Sequence, residues 1–212
     1  MKYILSVSFA MIFLLASAQE KRIGIFSGHA DVGNPRIKGA ALFEQRTKSY
    51  MLQGGGYNIW FNRDEFHFVY KKLHGDFTLT AHFAFIDSGN EGHRKIGWMV
   101  RESLADSAVH ISAVVHGDGL TVLQWRLKPG MNMRDPEDEI RAPGKKYRII
   151  QLQRKGKKFI MRAAEKEGAA FITVGEQEMA NLGQDVLAGL FICSHNPQVL
   201  EKAKAWKVPI TK

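Results

Sequence analysis

The chain has very little cysteine: Cys193 is its only one in 212 residues. No internal disulfide can therefore form, and the fold must be stabilised by its hydrophobic core. Hydrophobic residues make up 45% of the sequence, an ordinary value for a globular domain. Because Cys193 lies in the apolar run LAGLFICS, we expect a buried thiol that packs as a small hydrophobic group.

Helical periodicity is also missing, since no long segment carries an apolar stripe at the spacing of a helix. Period-two alternation dominates instead, and it predicts twelve short strands. They cover residues 37–44, 49–55, 65–73, 76–86, 95–104, 109–116, 120–127, 147–155, 158–166, 171–177, 187–195 and 202–210. Residues 179–185 are expected to form a short helix or a turn. Many short strands with close turns indicate an antiparallel sandwich or barrel.

Long apolar runs are absent apart from the one that opens the chain. Residues 1–18, MKYILSVSFAMIFLLASA, combine an early lysine, an apolar stretch and the small-residue end Ala16-Ser17-Ala18. This order is typical of a secretory signal peptide, and the stretch is too short for a good transmembrane anchor. We predict a signal peptide over residues 1–18, a single domain over residues 19–212, and a bacterial protein exported to the periplasm or the cell exterior, without membrane insertion.

The charge balance is basic, with 30 Lys and Arg against 21 Asp and Glu. The net charge is +9, and it becomes +8 once Lys2 leaves with the signal peptide. The lysines are scattered and no nucleic-acid-binding module is recognisable, which argues against DNA or RNA as a partner. Outside the cytoplasm, such a surface more naturally attracts an acidic polysaccharide.

Seven segments follow one another in a recognisable order: GYNIWFNRDEFHFVYK, GDFTLTAHF, RKIGWMVRESL, HGDGLTVLQWR, RDPEDEI, YRIIQLQRKG and AGLFICSHN. Over about residues 31–210 the chain resembles a family of exported bacterial domains with the concanavalin A-like lectin/glucanase fold, often labelled as Tol biopolymer-transport (TolB-like) proteins. The resemblance implies an all-β, two-sheet antiparallel jelly-roll sandwich and a link to carbohydrate. In a jelly roll the last strand, KAKAWKVPI, returns beside an early one.

The segment RKIGWMVRESL raises the question of what its two late charges do. If Ile96, Trp98 and Val100 face the core, Arg101 stands on an open sheet face, available to sugar hydroxyls or a carboxylate. Glu102 would then lie near the strand end. The alternative is that these charges form a cross-strand ion pair at the sheet edge.

The hairpin VHISAVVHGDGLTVLQWRL offers further candidates. If its turn pairs His116 with Leu120, one polar face gathers His110, Ser112, Gln124 and Arg126. A shift of one residue would instead place Gln124 and Arg126 among apolar side chains. We favour the first register because it keeps the polar residues together, although such a histidine is more often a surface or satisfied residue than a ligand-binding one.

Two further positions suggest a binding site. In GGGYNIWFNRDEF, three glycines (residues 54–56) allow a close backbone approach, and Trp60 is a ring on which a sugar can stack. The alternative is that Trp60 and Phe61 close one end of the sandwich. His195 ends the strand LAGLFICSH, so we expect it at a sheet rim.

The segment RDPEDEI contains four carboxylates within five residues: Asp135, Glu137, Asp138 and Glu139. Clustered carboxylates can hold Ca²⁺, but the spacing does not match an EF-hand loop. It also lacks the alternating E-x-D-x-x-E pattern of concanavalin-fold glucanases. Arg134 and Arg141 on either side indicate ion pairing instead, so we predict no cofactor, with a structural Ca²⁺ as the open alternative.

No serine-histidine-acid order, phosphate loop or zinc spacing is present. We therefore predict a non-catalytic carbohydrate-binding domain whose ligand contacts are Trp60, Arg101, Glu102, His110, Gln124, Arg126 and His195. Two alternatives stay open. A glycoside hydrolase-like enzyme would need two carboxylates across one cleft, supplied by Glu102, Asp64 or residues 135–139. An envelope interaction module would dock a TolB-like propeller as its protein partner.

Overall fold

Fifteen β-strands in two antiparallel sheets make up this computed structural model, which describes residues 23–86, 89 and 91–212. The predicted signal peptide lies outside the described residues. The described part of the chain contains no helix long and apolar enough to cross a membrane. The all-β expectation is confirmed, and the turn expected over residues 179–185 occupies residues 180–182, while Asp185 already begins a strand.

The first sheet has seven strands. In spatial order they are β1 (Gly28–Val32), β4 (Phe66–His74), β13 (Asp185–Cys193), β6 (Lys95–Arg101), β7 (His110–His116), β8 (Thr121–Arg126) and β9 (Glu139–Arg141). The strands β6, β7 and β8 are buried along their whole length. Both faces of this sheet are therefore covered in its middle.

The second sheet has eight strands. Seven follow the spatial order β12 (Ile172–Glu178), β11 (Lys158–Ala164), β10 (Ile149–Lys155), β5 (Phe77–Phe85), β14 (Glu201–Trp206), β3 (Ser49–Gly54) and β2 (Ala40–Glu44), and β15 (Ile210–Thr211) pairs with β5. The predicted return of the last long strand is confirmed, because β14 lies between β3 and β5.

The main hydrophobic core fills the space between the sheets. Trp98 and Val100 of β6 pack there with Leu79 and Phe83 of β5 and with Leu152 of β10. Residues of the opposite parity in the seven-stranded sheet point away from this core, onto what we call the outer face. That face carries a second apolar cluster, which includes Met99, Val114 and Phe191 together with Ile59 from the segment after β3.

The predicted register of the central hairpin is confirmed. The backbone N–H of His116 donates to the carbonyl of Leu120 at 2.8 Å, and His110 is paired with Arg126. Ser112, two residues further along β7, is paired with Gln124. These side chains therefore share the outer face with Arg101, which is paired with His110.

Candidate ligand-binding site

A loop lies across the outer face of the seven-stranded sheet and decides which parts of that face a ligand can reach. This covering loop, residues 55–65, buries Ile59 against the second apolar cluster. Its start requires glycine: Gly56 has φ +115°, and a Cβ there would collide with the Glu65 carbonyl oxygen. The glycine run thus serves backbone-to-backbone packing within the protein.

Two arginines on the outer face hold the covering loop through Asp64. Arg126 Nη1 and Nη2 donate to the two carboxylate oxygens of Asp64 at 2.8 and 2.7 Å, and Nη2 also reaches the Phe61 carbonyl at 2.6 Å. Arg101 Nη2 donates to the same carboxylate at 3.4 Å and to the Ala105 carbonyl at 2.5 Å. We call this three-residue arrangement the Asp64 clamp; all three side chains are fully buried.

The expectation that Arg101 stands on an open face is therefore wrong, and the same holds for His110, Gln124 and Arg126. All four are at most 1% exposed. Gln124 Nε2 donates to the Ile59 carbonyl at 3.1 Å, so it too binds the covering loop. Burial, followed by the positive charge of the two arginines, lowers the pKa of His110 well below its usual range. Arg101 and Arg126 thus bind protein groups rather than a ligand, and neither ring nitrogen of His110 has a hydrogen-bond partner within the described residues.

Glu102 directly follows Arg101 at the end of β6, and its side chain is exposed. Its backbone N–H donates to the Val109 carbonyl, but its carboxylate forms no ion pair or hydrogen bond within residues 23–86, 89 and 91–212. It does not line the pocket described below. The cross-strand ion pair considered as the alternative is therefore not formed by Glu102 within the described residues.

Beyond the covering loop, the outer face opens into a cavity of about 280 Å³, which we call the rim pocket. Its basic side is formed by His93, Lys95, His116 and His195. Its other lining residues are Asn58, Trp60, Leu120, Gln124, Asp135, Glu139 and Arg141. The pocket thus contains three of the seven predicted contact residues, namely Trp60, Gln124 and His195.

Lys95 is a buried cation in the wall of the rim pocket, only 4% exposed. Its ammonium donates to the Asn58 side-chain oxygen at 2.9 Å and to the His93 carbonyl at 3.2 Å. Burial lowers the pKa of Lys95, and this shift is opposed by the nearby Cys193, Glu91 and Glu139. Cys193 is fully buried, which confirms the predicted packed thiol, and burial raises its pKa to about 11.

Three histidines surround this ammonium. His116 Nδ1 lies 3.1 Å from the Leu120 carbonyl, so Nδ1 carries the proton and Nε2 is left as an acceptor. Burial, with a further contribution from Lys95, lowers the pKa of His116 to about 3 and keeps its ring neutral at pH 7. The pKa of His195 is lowered by the same two causes. The ring of His93 lies 5.9 Å from that of His116 and 5.4 Å from that of His195.

The acidic segment supplies the opposite wall. Glu139 is paired in β9 with Gln124 of β8, which places it on the outer face. Arg141 donates to Glu139 through Nε and to Asp135 through Nη2 at 2.8 Å, while Arg134 binds Asp138. The expected arginine ion pairing is thus observed, and no cluster of three or more metal-binding side chains occurs in the described residues.

Aromatic rings line the solvent side of the site. Trp60 borders the rim pocket, and its backbone carbonyl accepts from the N–H of Met133 at 3.0 Å. Tyr57 is nearly parallel to Phe61, at 6.0 Å and 13°, and to His195, at 6.3 Å and 15°. Tyr57 and Phe61 are close to half exposed, so Phe61 does not close the sandwich. His195 has φ +59°, a conformation that non-glycine residues seldom adopt and that is enriched at functional sites.

The sequence analysis did not identify several of the residues that line the rim pocket. The charged run His93-Arg94-Lys95 is typical of an exposed loop. In the structure, however, Lys95 begins β6 and is paired with His116 of β7. Strand alternation could have found them, because Lys95 lies on the same face of its strand as Arg101, and His116 on the same face as His110. Following both strands to their other ends would have located the pocket.

The arrangement is suited to binding a polar ring. It combines exposed aromatic faces with amide, imidazole and ammonium groups that point to one cavity, which is the composition of a small-molecule site. A cavity of about 280 Å³ lies at the lower end of the usual range for such sites.

Comparison with known proteins gives the fold. No family model matches the sequence, and no curated protein matches it. A functionally unknown protein from Saccharomyces cerevisiae superimposes with a TM-score of 0.61 at 14% identity, covering 86% of this chain and 95% of that one. The carbohydrate binding module CBM66 from Bacillus subtilis gives 0.52 at 13%, covering 89% and 98%.

A third similar structure is the exoplasmic/lumenal domain of VIP36 in a Ca²⁺/Man3GlcNAc-bound form, with a TM-score of 0.51 at 8% identity and coverages of 82% and 81%. At these identities the likeness shows the fold alone. The predicted membership of the TolB-like family therefore rests only on the resemblance of the seven sequence segments, because no family model matches the chain. The described chain is a two-sheet jelly-roll sandwich of the concanavalin A-like lectin/glucanase type.

Proposed function

We propose that this protein is an exported, non-catalytic carbohydrate-binding domain whose ligand occupies the rim pocket. The observation that carries the proposal is the meeting of Trp60 with the amide of Gln124 and the imidazole of His195 at one cavity on the outer face. Sugars offer apolar C–H faces to aromatic rings and hydroxyls to amides and imidazoles. The similar architecture of a carbohydrate binding module and of the VIP36 domain in its Ca²⁺/Man3GlcNAc-bound form supports this choice.

Of the seven predicted contact residues, we retain Trp60, Gln124 and His195 as ligand contacts. Arg101, Arg126 and His110 lie beneath the covering loop, and Glu102 lies outside the pocket. The near-parallel rings of Tyr57 and Phe61 extend the site beyond Asn58, which also borders a neighbouring cavity of about 250 Å³. A ligand of more than one sugar residue would therefore continue from the rim pocket over these rings.

Export and an acidic polysaccharide partner belong to the same proposal. The first eighteen residues have the composition of a signal peptide, and the net charge of +8 without them favours an anionic polymer. Export to a bacterial periplasm or cell exterior would bring the domain into contact with such polymers. Docking to a TolB-like propeller stays a prediction.

The glycoside hydrolase alternative is less well supported by the geometry. Hydrolysis needs one carboxylic acid to protonate the leaving group and a second carboxylate opposite it. In the rim pocket, Glu139 and Asp135 both accept hydrogen bonds from the same Arg141 guanidinium. Asp64 is buried in its clamp and Glu102 lies elsewhere.

A glycan array on the purified protein tests the proposal, with Trp60→Ala and Trp206→Ala as a matched pair. Trp206 is a partly buried tryptophan on the other sheet, where it packs against His82. We expect Trp60→Ala to weaken binding to the recognised glycan at least about tenfold, or about 1.4 kcal/mol, because stacking is lost. Trp206→Ala should bind as the unaltered protein does.

Failure to bind any glycan would overturn the proposal, and equal losses in the two tryptophan variants would overturn the placement of the site. Incubation of the bound glycan with the protein, followed by an assay for new reducing ends, separates binding from hydrolysis. Release of reducing ends that disappears in Glu139→Gln would establish the enzyme instead.

A further inference from the structure

Lys95 differs from the other buried cations near the outer face in the partners it has. Arg101 and Arg126 share the Asp64 carboxylate, and Arg94 donates to Glu201 at 2.6 Å. Lys95 is buried to a similar degree, yet within the described residues no carboxylate lies within 4.0 Å of its ammonium. Burying an unpaired charge is costly, so a buried cation at a cavity without a counter-ion indicates that a ligand supplies one.

The hydrogen bonds of Lys95 lead to the same conclusion. An ammonium has three N–H donors. Lys95 uses two of them in hydrogen bonds to neutral oxygens, the Asn58 side-chain oxygen and the His93 backbone carbonyl. The third has no acceptor among the residues that the structure describes. Because the side chain lines the rim pocket, a ligand oxygen can take this position.

The neighbouring carboxylates of Glu91 and Glu139 act on Lys95 only from beyond ion-pair distance. Glu139 is engaged by Arg141, and Glu91 lies 3.6 Å from His195 Nδ1. The His116 ring is neutral at pH 7, because burial lowers its pKa to about 3. The basic side of the pocket therefore keeps a single buried positive charge next to rings that can hydrogen-bond to hydroxyls.

We propose that the rim pocket recognises an acidic sugar residue, with its anionic substituent bound by the Lys95 ammonium and its ring held beside His116 and His195. This inference rests on the proposed function, and it names the ligand class of the same site. The recognised chemistry is a singly charged oxygen anion on a sugar ring. A uronic acid carboxylate and a sulfate ester are its two sources.

Calorimetric titration with three oligosaccharides tests the inference: an oligogalacturonate, its carboxyl-reduced neutral counterpart, and a sulfated galactan oligosaccharide. We expect at least one acidic probe to bind at least about tenfold more tightly than the neutral one. Lys95→Met should remove this preference and leave residual binding at the neutral level. Which acidic probe is preferred identifies a carboxylate or a sulfate ester as the source.

Lys204→Met is the matched control, because it removes one positive charge from a partly buried lysine on the eight-stranded sheet. It should retain the acid preference, and an equal loss in both variants would show diffuse attraction instead of a subsite. Thermal unfolding verifies that Lys95→Met folds, and Lys95→Gln, which keeps a donor for Asn58, replaces it if it does not.

The outcomes separate the two proposals. Equal binding of acidic and neutral probes, or an acid preference that survives in the folded Lys95 variant, overturns the anion subsite and leaves carbohydrate binding intact. Absence of binding to these probes and to the glycan array overturns both.

Discussion

The carboxylate of Asp64 receives hydrogen bonds from two guanidinium groups while no part of its side chain reaches solvent. Burial raises the pKa of Asp64, and the hydrogen bond and charge of Arg126 and the charge of Arg101 oppose the rise. Burial also lowers the pKa of Arg101 to about 10, which leaves it charged at pH 7. Burial removes water from all three charged groups, and the ion pairs of Asp64 with Arg101 and Arg126 compensate for that loss.

Asp64→Asn is expected to destabilise the protein by about 3–5 kcal/mol, because it leaves two buried guanidinium groups without a counter-ion. Urea unfolding followed by circular dichroism measures the loss. Glu102→Gln is the control: that carboxylate is exposed, and its change should remain within about 0.5 kcal/mol. Equal stability of Asp64→Asn and the unaltered protein would contradict the clamp.

The sequence predicted which side chains share the outer face but not which of them are covered. Parity along β6, β7 and β8 placed Arg101, Gln124 and Arg126 together, and this is what the register shows. Their burial depends on residues 55–65, whose contacts join positions more than 60 residues apart, such as Gln124 with Ile59. Strand periodicity contains no information about such a loop.

At the scale of elements, twelve predicted strands correspond to thirteen observed ones, since the last prediction divides into β14 and β15. Two strands were missed. The β1 sequence GHADV has a single β-branched residue, Val32, and no Phe, Tyr or Trp, so it does not stand out as a strand. The three residues of β9 pair only with β8, and a run that short has no detectable alternation.

The covering loop gives a prediction at this scale. Gly56→Ala should destabilise the protein by about 1–3 kcal/mol more than Gly168→Ala, as measured by thermal or urea unfolding. Both glycines have positive φ, but a Cβ at Gly56 meets the Glu65 backbone whereas one at Gly168 meets nothing within 4 Å. Similar losses in the two variants would show that the loop start is not sterically constrained.

At the scale of the whole molecule, buried histidines make stability depend on pH. His67, His110 and His116 are all buried, and burial lowers the pKa of each below its usual value. When the pH falls below about 6.5, the unfolded chain takes up protons at these positions before the folded protein does. The free energy of unfolding should therefore be largest above that pH and decrease on acidification.

His116→Asn tests this dependence, because asparagine keeps a donor for the Leu120 carbonyl and cannot take up a proton. With a folded pKa of about 3, His116 accounts for up to about 3 kcal/mol of the stability lost between about pH 6.5 and about pH 4. The loss of unfolding free energy in the variant should be smaller by that amount. His74→Gln, at an exposed position, is the control, and parallel pH profiles of the variant and the unaltered protein would contradict the prediction.

The position of β14 has a consequence for biosynthesis. This strand joins β3 to β5 in the middle of the eight-stranded sheet, yet it comes from residues 201–206, which leave the ribosome after every other long strand of the domain. Because β14 pairs with both neighbours, the backbone groups of β3 and β5 that face it have their partners only once these residues have been synthesised.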